Sequence, residues 1–249
     1  RLPPGIIIQS GNDATIVVAE GLSANEKAFA REMTEKARDL GMNNTTFKNA
    51  SGWPDPEHKS SARDLAILAE ASIRNFPEMY RYYAERDFSF SGIKQQNRNP
   101  LLGRFRGADG LKTGYTEKAG YGLTASASKN GRRLILVLNG LPSQRARKVE
   151  SQRMLNWGFR EFKNYQLFKT NENLSTAEVW LGEATHVSLL AKEGVLITLE
   201  KSKRKDLQVR IRHKAPISAP IKKGIRLGEI VITVGNRNPM SIPVIAGED

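Results

Sequence analysis

Residues 110–139 read G-L-K-T-G-Y-T-E-K-A-G-Y-G-L-T-A-S-A-S-K-N-G-R-R-L-I-L-V-L-N, and the reading of this stretch decides the fold. It contains three β-prone runs, Gly110–Thr116, Tyr121–Ser128 and Arg133–Asn139, and Lys129-Asn130-Gly131 joins the last two. Asn-Gly tolerates the positive φ values of a tight hairpin turn, so the stretch predicts an antiparallel meander. Immediately downstream, Gln144–Tyr165 predicts a helix whose broad apolar face holds Val149, Met154, Leu155, Trp157, Phe159 and Phe162.

Two further helices are predicted upstream. Ser23 and Glu26 read as a capping box opening a helix carried by Ala28, Phe29, Met33, Ala37 and Leu40, which Gly41 ends. Ser61 and Asp64 open another, carried by Leu65, Leu68, Ala69, Ser72 and Ile73 and stopped near Asn75 and Pro77. Between them, Asn43 to Ser60 holds Gly52, Pro54 and Pro56 and predicts a long loop. Ile6–Ile8 reads as a short strand, and Phe88–Ile93 as another before a loop with Asn97, Asn99 and Pro100. After Phe168 the texture changes to short alternating segments: Ala177–Trp180, His186–Leu190, Val195–Leu199, Leu207–His213 and Glu229–Val234. The fold class is therefore α+β, with helices around an antiparallel sheet in residues 1–168 and a small all-β domain in 169–249. The boundary falls near Leu167–Asn171.

Composition removes several function classes. The chain has 249 residues, 39% hydrophobic and 26% charged, which is ordinary globular usage with ample length for a core. It lacks cysteine, so disulfides, thiol nucleophiles and cysteine-ligated zinc are excluded. Its three histidines, His58, His186 and His213, are widely separated and match no ligand pattern, so neither metal nor cofactor is expected. The longest apolar runs, Leu134–Leu138 and Ile230–Val234, are far shorter than the ~20 residues of a membrane-spanning helix. Net charge is +13, but the excess is spread along the chain and basic patches lack interleaved aromatics, which argues against nucleic acid as a partner.

Two short strings stand out as chemistry. Ser10-Gly11-Asn12 is an S-x-N, expected about once by chance in a chain of this length, whereas Lys112-Thr113-Gly114 is expected well under a tenth of a time. A strand offering Lys112 and Thr113 to a cleft can hold a C-terminal carboxylate by charge and hydroxyl, and Gly114 lets a substrate backbone approach. The free edge of such a strand can pair with an extended peptide. Taken alone, Lys112 is equally a solvated strand lysine and Thr113 an ordinary β-former.

The order of the strings, about a hundred residues apart, matches the second and third motifs of penicillin-recognising serine enzymes. With the flanks Gln9-Ser10-Gly11-Asn12-Asp13-Ala14, Asn97-Arg98-Asn99, Asp109 to Gly114 and Trp157-Gly158-Phe159, the chain resembles the low-molecular-mass D-alanyl-D-alanine carboxypeptidases over essentially its whole length. The resemblance implies a transpeptidase/β-lactamase-like domain and a serine-type enzyme that trims peptidoglycan stem peptides through an acyl-enzyme and binds β-lactams. It places the protein in the periplasm or elsewhere outside the cytoplasmic membrane. Ser10 would relay a proton to the leaving amine, and Asn12 would bond the substrate peptide. Lys112 would lend charge, Thr113 and Arg147 would bind the terminal carboxylate, and the Tyr115 N–H would form half of the oxyanion hole.

One departure bears on function. The family's first motif, S-x-x-K, supplies nucleophile and base and lies before S-x-N, yet only nine residues precede Ser10. Ser91-Gly-Ile-Lys94 and Ser202-Lys-Arg-Lys205 both follow it; Ser91 reads as strand and Ser202 as charged turn. The 249 residues therefore read as the later part of the enzyme, inactive alone, with the S-x-x-K segment and a membrane-anchoring C-terminal helix outside them. The rival readings are a non-catalytic peptidoglycan-binding or scaffolding homologue and an endopeptidase or β-lactamase relative.

Overall fold

A computed structural model describes residues 2–249, and these divide into two compact units, residues 2–159 and Arg160–Asp249. The first unit is built on the meander. Strands β3 (Ala108–Thr116), β4 (Gly120–Lys129) and β5 (Arg132–Leu141) form an antiparallel sheet in the order β3-β4-β5. Asn130 and Gly131, at φ 52° and 73°, make the β4–β5 turn as the Asn-Gly pair predicts.

Period-two alternation gives the sheet two buried faces. Leu123, Ala125, Ala127, Leu134 and Leu136 meet Leu155 and Phe159 of helix α6 (Gln144–Glu161), together with Leu101 and Phe105. On the other side Leu111 and Ile135 pack with Ala69 and Ile73 of α4 (Ala62–Asn75) and with Tyr80 and Tyr83. Close approach of α6 depends on Gly158, where a Cβ would stand 2.9 Å from Leu134 Cδ1. The Arg132 guanidinium donates to the carbonyls of Gly158 and Phe159, satisfying acceptors that the end of the helix leaves open.

The N-terminal half differs locally from expectation. Ile6–Ile8 is no strand: it lies in a π-type turn, Gly5–Gln9, after the short helical turn α1 (Leu2–Pro4). Helix α2 (Asn12–Leu22) follows, despite its β-branched Thr15, Ile16, Val17 and Val18. Helix α3 (Glu26–Asp39) is capped by Asn25, which accepts from Ala28 N at 2.8 Å, rather than by Ser23. Ser23 instead bonds Glu32, and Glu26 accepts from Ala50 N. At α4 the Ser61 hydroxyl accepts from Asp64 N at 3.1 Å, as its spacing predicts. A short helix α5 (Pro77–Tyr80) follows, and the single strand expected at Phe88–Ile93 is a hairpin, β1 (Asp87–Phe90) and β2 (Ile93–Gln96), turned by Ser91 and Gly92 at positive φ. Ser91 thus sits in a turn.

The second unit is all β, apart from a 3-10 turn at Lys201–Asp206 that holds Ser202. The helix expected to reach Tyr165 stops at Glu161, and Phe162–Phe168 forms β6, paired with β9 (Val195–Glu200). Tyr165, Leu167 and Phe168 pack on this unit's own apolar cluster, so tertiary burial overrides helix periodicity. For the same reason the units divide at Phe159/Arg160, ahead of the change in sequence texture near Leu167. The remaining strands, β7 (Asn173–Trp180), β8 (His186–Ala191), β10 (Leu207–His213), β11 (Ile217–Ser218), β12 (Arg226–Val234) and β13 (Met240–Ala246), form one sheet in the order β10-β12-β13-β8-β7-β11. Only the β11–β7 pairing is parallel. Among the described residues no helix is long and apolar enough to cross a membrane.

Candidate active site

The start of β3 is held rigidly. The Tyr80 hydroxyl donates to Asp109 at 2.9 Å, Arg133 pairs with the same carboxylate at 2.7 Å, and buried Asn99 donates to the Gly110 carbonyl at 2.8 Å. A side chain at Gly110 would collide with Tyr80, its Cβ only 2.5 Å from the hydroxyl oxygen. These contacts fix the strand that carries Lys112 and Thr113.

Ser10 reaches the same place from 102 positions earlier in the chain. The π-type turn ends at Ser10 in the left-handed region, φ 57° and ψ 43°, where a non-glycine residue is strained. Its N–H donates to Gly5 O, and helix α2 starts two residues later at Asn12. The Lys112 ammonium donates to the Ser10 hydroxyl and, at 2.9 Å, to the Thr113 carbonyl. Burial pulls the Lys112 pKa down to about 8, and repulsion from Arg98 and Arg147 adds to the fall.

All seven residues singled out in the sequence, Ser10, Asn12, Lys112, Thr113, Gly114, Tyr115 and Arg147, line one open cleft of about 790 Å³. Apart from Gly114 and its two chain neighbours, nothing lies within 4 Å of where a Cβ on Gly114 would be, so a ligand backbone has room beside the strand. Tyr115 is half exposed, and its ring rests 4.3 Å from that of Tyr121. Arg147 is only 6% exposed and lies over the Tyr121 ring, while its Nε has no hydrogen-bond partner. Burial lowers the pKa of this guanidinium as well.

Three further cleft residues escape sequence reasoning. Arg98 sits in the Asn97-Arg98-Asn99 string, but nothing in its spacing marks it as facing Lys112. His58 and Gly52 come from the long loop, which Asp64 ties down by accepting from Asn44 N and the Thr45 hydroxyl at 2.8 and 2.7 Å. The proline and glycine content foretells a loop but not that it forms a cleft wall. Neither S-x-x-K string contributes to the cleft lining.

The arrangement pairs a lysine of lowered basicity with a hydroxyl in a groove floored by an open-edged strand and closed by a buried arginine. Such a cleft can bind an extended peptide ending in a carboxylate and pass a proton between Lys112 and Ser10. Residues 1–142 match a family described as D-alanyl-D-alanine carboxypeptidase, and residues 162–249 match the C-terminal domain of penicillin-binding protein 5. The D-alanyl-D-alanine carboxypeptidase DacA of Haemophilus influenzae is 38% identical over 237 residues, 94% of this chain and 60% of that protein. DacC of Escherichia coli is 38% identical over 250 residues, covering 100% of the chain and 62% of its own length. The chain thus spans about 60% of the length of these relatives. The structure of penicillin-binding protein 5 from H. influenzae superposes with a TM-score of 0.84 at 37% identity, over the whole chain and 73% of that structure. The chain belongs to the D-alanyl-D-alanine carboxypeptidase family.

Proposed function

We propose that the complete protein is a serine-type carboxypeptidase that removes the terminal D-alanine of peptidoglycan stem peptides outside the cytoplasmic membrane, and that β-lactams acylate it. The observation carrying this reading is the Lys112–Ser10 hydrogen bond, which joins residues 102 positions apart inside a cleft that Thr113 and Arg147 also line. In the first step a serine hydroxyl attacks the penultimate carbonyl, the peptide bond breaks, and D-alanine leaves with a proton on its amine. Water then hydrolyses the ester. Ser10, held by the Lys112 ammonium, relays the proton to the leaving amine, and Asn12 bonds the substrate amide. Thr113 and Arg147 hold the terminal carboxylate, and the Tyr115 N–H supplies one oxyanion donor.

No S-x-x-K precedes Ser10 within these 249 residues and neither later string lines the cleft, so no nucleophile is assigned within them. Residues 1–249 alone are therefore inactive. The test is release of D-alanine from an acylated D-Ala-D-Ala peptide by the complete protein, in parallel with labelling by a fluorescent penicillin. Expected are release and labelling by the complete protein and neither by the 249-residue chain. Labelling of the short chain at Ser10 or Ser91 would overturn its inactivity; ligand binding without release or labelling by the complete protein would point to a non-catalytic homologue.

A further inference from the structure

A second cavity, about 680 Å³ in volume, adjoins the cleft and shares Arg98, Gln144 and Arg147 with it. Its walls carry Arg86, Arg98, Arg104, Arg145, Arg147 and Lys148 against a single acid, Asp87, whose carboxylate lies 3.3 Å from Lys94. Among the described residues none of these six cations forms an ion pair, although elsewhere on the chain Lys48, Arg133 and Arg153 do.

Three of the six stand where a helix least favours them. Arg145, Arg147 and Lys148 lie in the opening residues of α6, whose first turn contains no acid, whereas α2, α3 and α4 open with Asp13, Glu26 and Asp64. The positive end of the helix dipole repels cations there, and each guanidinium repels the next. Solvent can screen the exposed members but reaches Arg147 poorly, since that residue is buried and its Nε lacks a partner. A cationic cluster assembled against the helix dipole around an unpartnered buried donor is complementary to an anion.

We propose that this cavity is an anion-binding subsite for a leaving group that carries a carboxylate of its own in addition to the terminal one. The direction of the assignment rests on the proposed carboxypeptidase chemistry: Thr113 and Arg147 take the terminal carboxylate, and the cavity opens beside Arg98 and Arg147. The methyl group of D-alanine carries no charge to pair with Arg86, Arg104, Arg145 or Lys148. A side-chain carboxylate, or a second peptide attached at that position, places negative charge among them. The subsite thus extends specificity to acidic and larger leaving groups and makes it sensitive to salt.

The experiment compares the complete protein with its Arg104→Gln/Lys148→Gln variant; both residues are exposed and lie outside the cleft lining. Citrate binding by calorimetry at low ionic strength should weaken about tenfold in the variant while acetate binding is unmoved. For acylated peptides ending in D-Ala-D-Glu and D-Ala-D-Ala, KM should favour D-glutamate about tenfold in the parent and show no preference in the variant. Release of D-alanine from the D-Ala-D-Ala peptide should stay within about twofold, which also reports that the variant is folded. Equal citrate binding by the two proteins, with normal D-alanine release, overturns the subsite alone. Citrate binding that depends on Arg104 and Lys148, without any preference for D-glutamate, overturns its assignment to the leaving group. Failure to release either residue, with variant-sensitive citrate binding retained, overturns the hydrolase reading and supports the anion site.

Discussion

Every buried side chain described in residues 160–249 is aliphatic, from Ala177 to Ala246, and all but Val231 join in one cluster. The first unit buries Thr45, Asp64, Asn99, Ser126, Arg147 and Ser151 as well, and its apolar residues split into separate clusters on the two faces of the sheet. A continuous aliphatic core is stabilised by area alone. Buried polar groups contribute little net stability and are costly whenever a partner is missing, so they fix geometry instead. Asn99 aligns β3, Asp64 anchors the loop that walls the cleft, and Arg147 remains incompletely bonded. Positional accuracy is concentrated in the unit that holds the site.

The sharpest way to break this contrast is Lys112→Ala in the complete protein, which should slow labelling by a fluorescent penicillin by about two to four orders of magnitude. Lys163→Ala, on β6, should be nearly silent, and equal effects would reduce the K-T-G string to an ordinary strand. Next in size, Ile230→Ala in the fully buried centre of β12 should destabilise the second unit by about 2–5 kcal/mol in denaturant melts. D-alanine release below the melting transition should change by no more than a few fold. A collapse of release in the folded variant would place part of the site's support in the β unit.

A third test uses pH. Because Lys112 titrates near 8 in the fold, its charge fades above that value, and carboxylate affinity should fall by up to about tenfold per unit from pH 8 upward. An affinity flat to pH 10 would mean that the ammonium charge does not act on the carboxylate. The smallest effect separates the units by acid. Thr45, Asn44 and Ser61 hold the Asp64 pKa below its ordinary value, so its contribution to stability is present above about pH 4 and disappears as pH falls through the lowered value. Amide signals of the loop at 43–60 should broaden first on acidification, with those of β12 unchanged, and Asp64→Asn should abolish the pH dependence of this step.

Legibility followed the range of the interactions. The meander and its Asn130-Gly131 turn were readable because turn chemistry and period-two alternation are local. Lys112-Thr113-Gly114 stood out by its rarity, and Ser10-Gly11-Asn12 gained meaning only from its order and flanks. Ile6–Ile8 misled because a β-branched triplet signals strand unless chain-distant contacts bend it, and here it packs against the β1–β2 hairpin. The Ser91-Gly92 turn splits what composition reads as one strand, and β13 went unread because Pro243 lies within it. Arg98 and the basic cavity were invisible for a different reason. Their partners come from three separate stretches, around 86, 98–104 and 144–148, and no spacing rule links them.

The left-handed backbone at Ser10 puts activity and durability in opposition. Glycine adopts that conformation without the cost of about 1 kcal/mol or more that a side chain incurs there. Ser10→Gly would therefore relax the turn while deleting the hydroxyl that Lys112 grips. A library of this protein sorted only for resistance to heat would enrich that substitution and discard the proposed proton relay. Directed evolution toward a hardier form has to keep an activity screen running beside the thermal one, since at this position the two selections choose different residues.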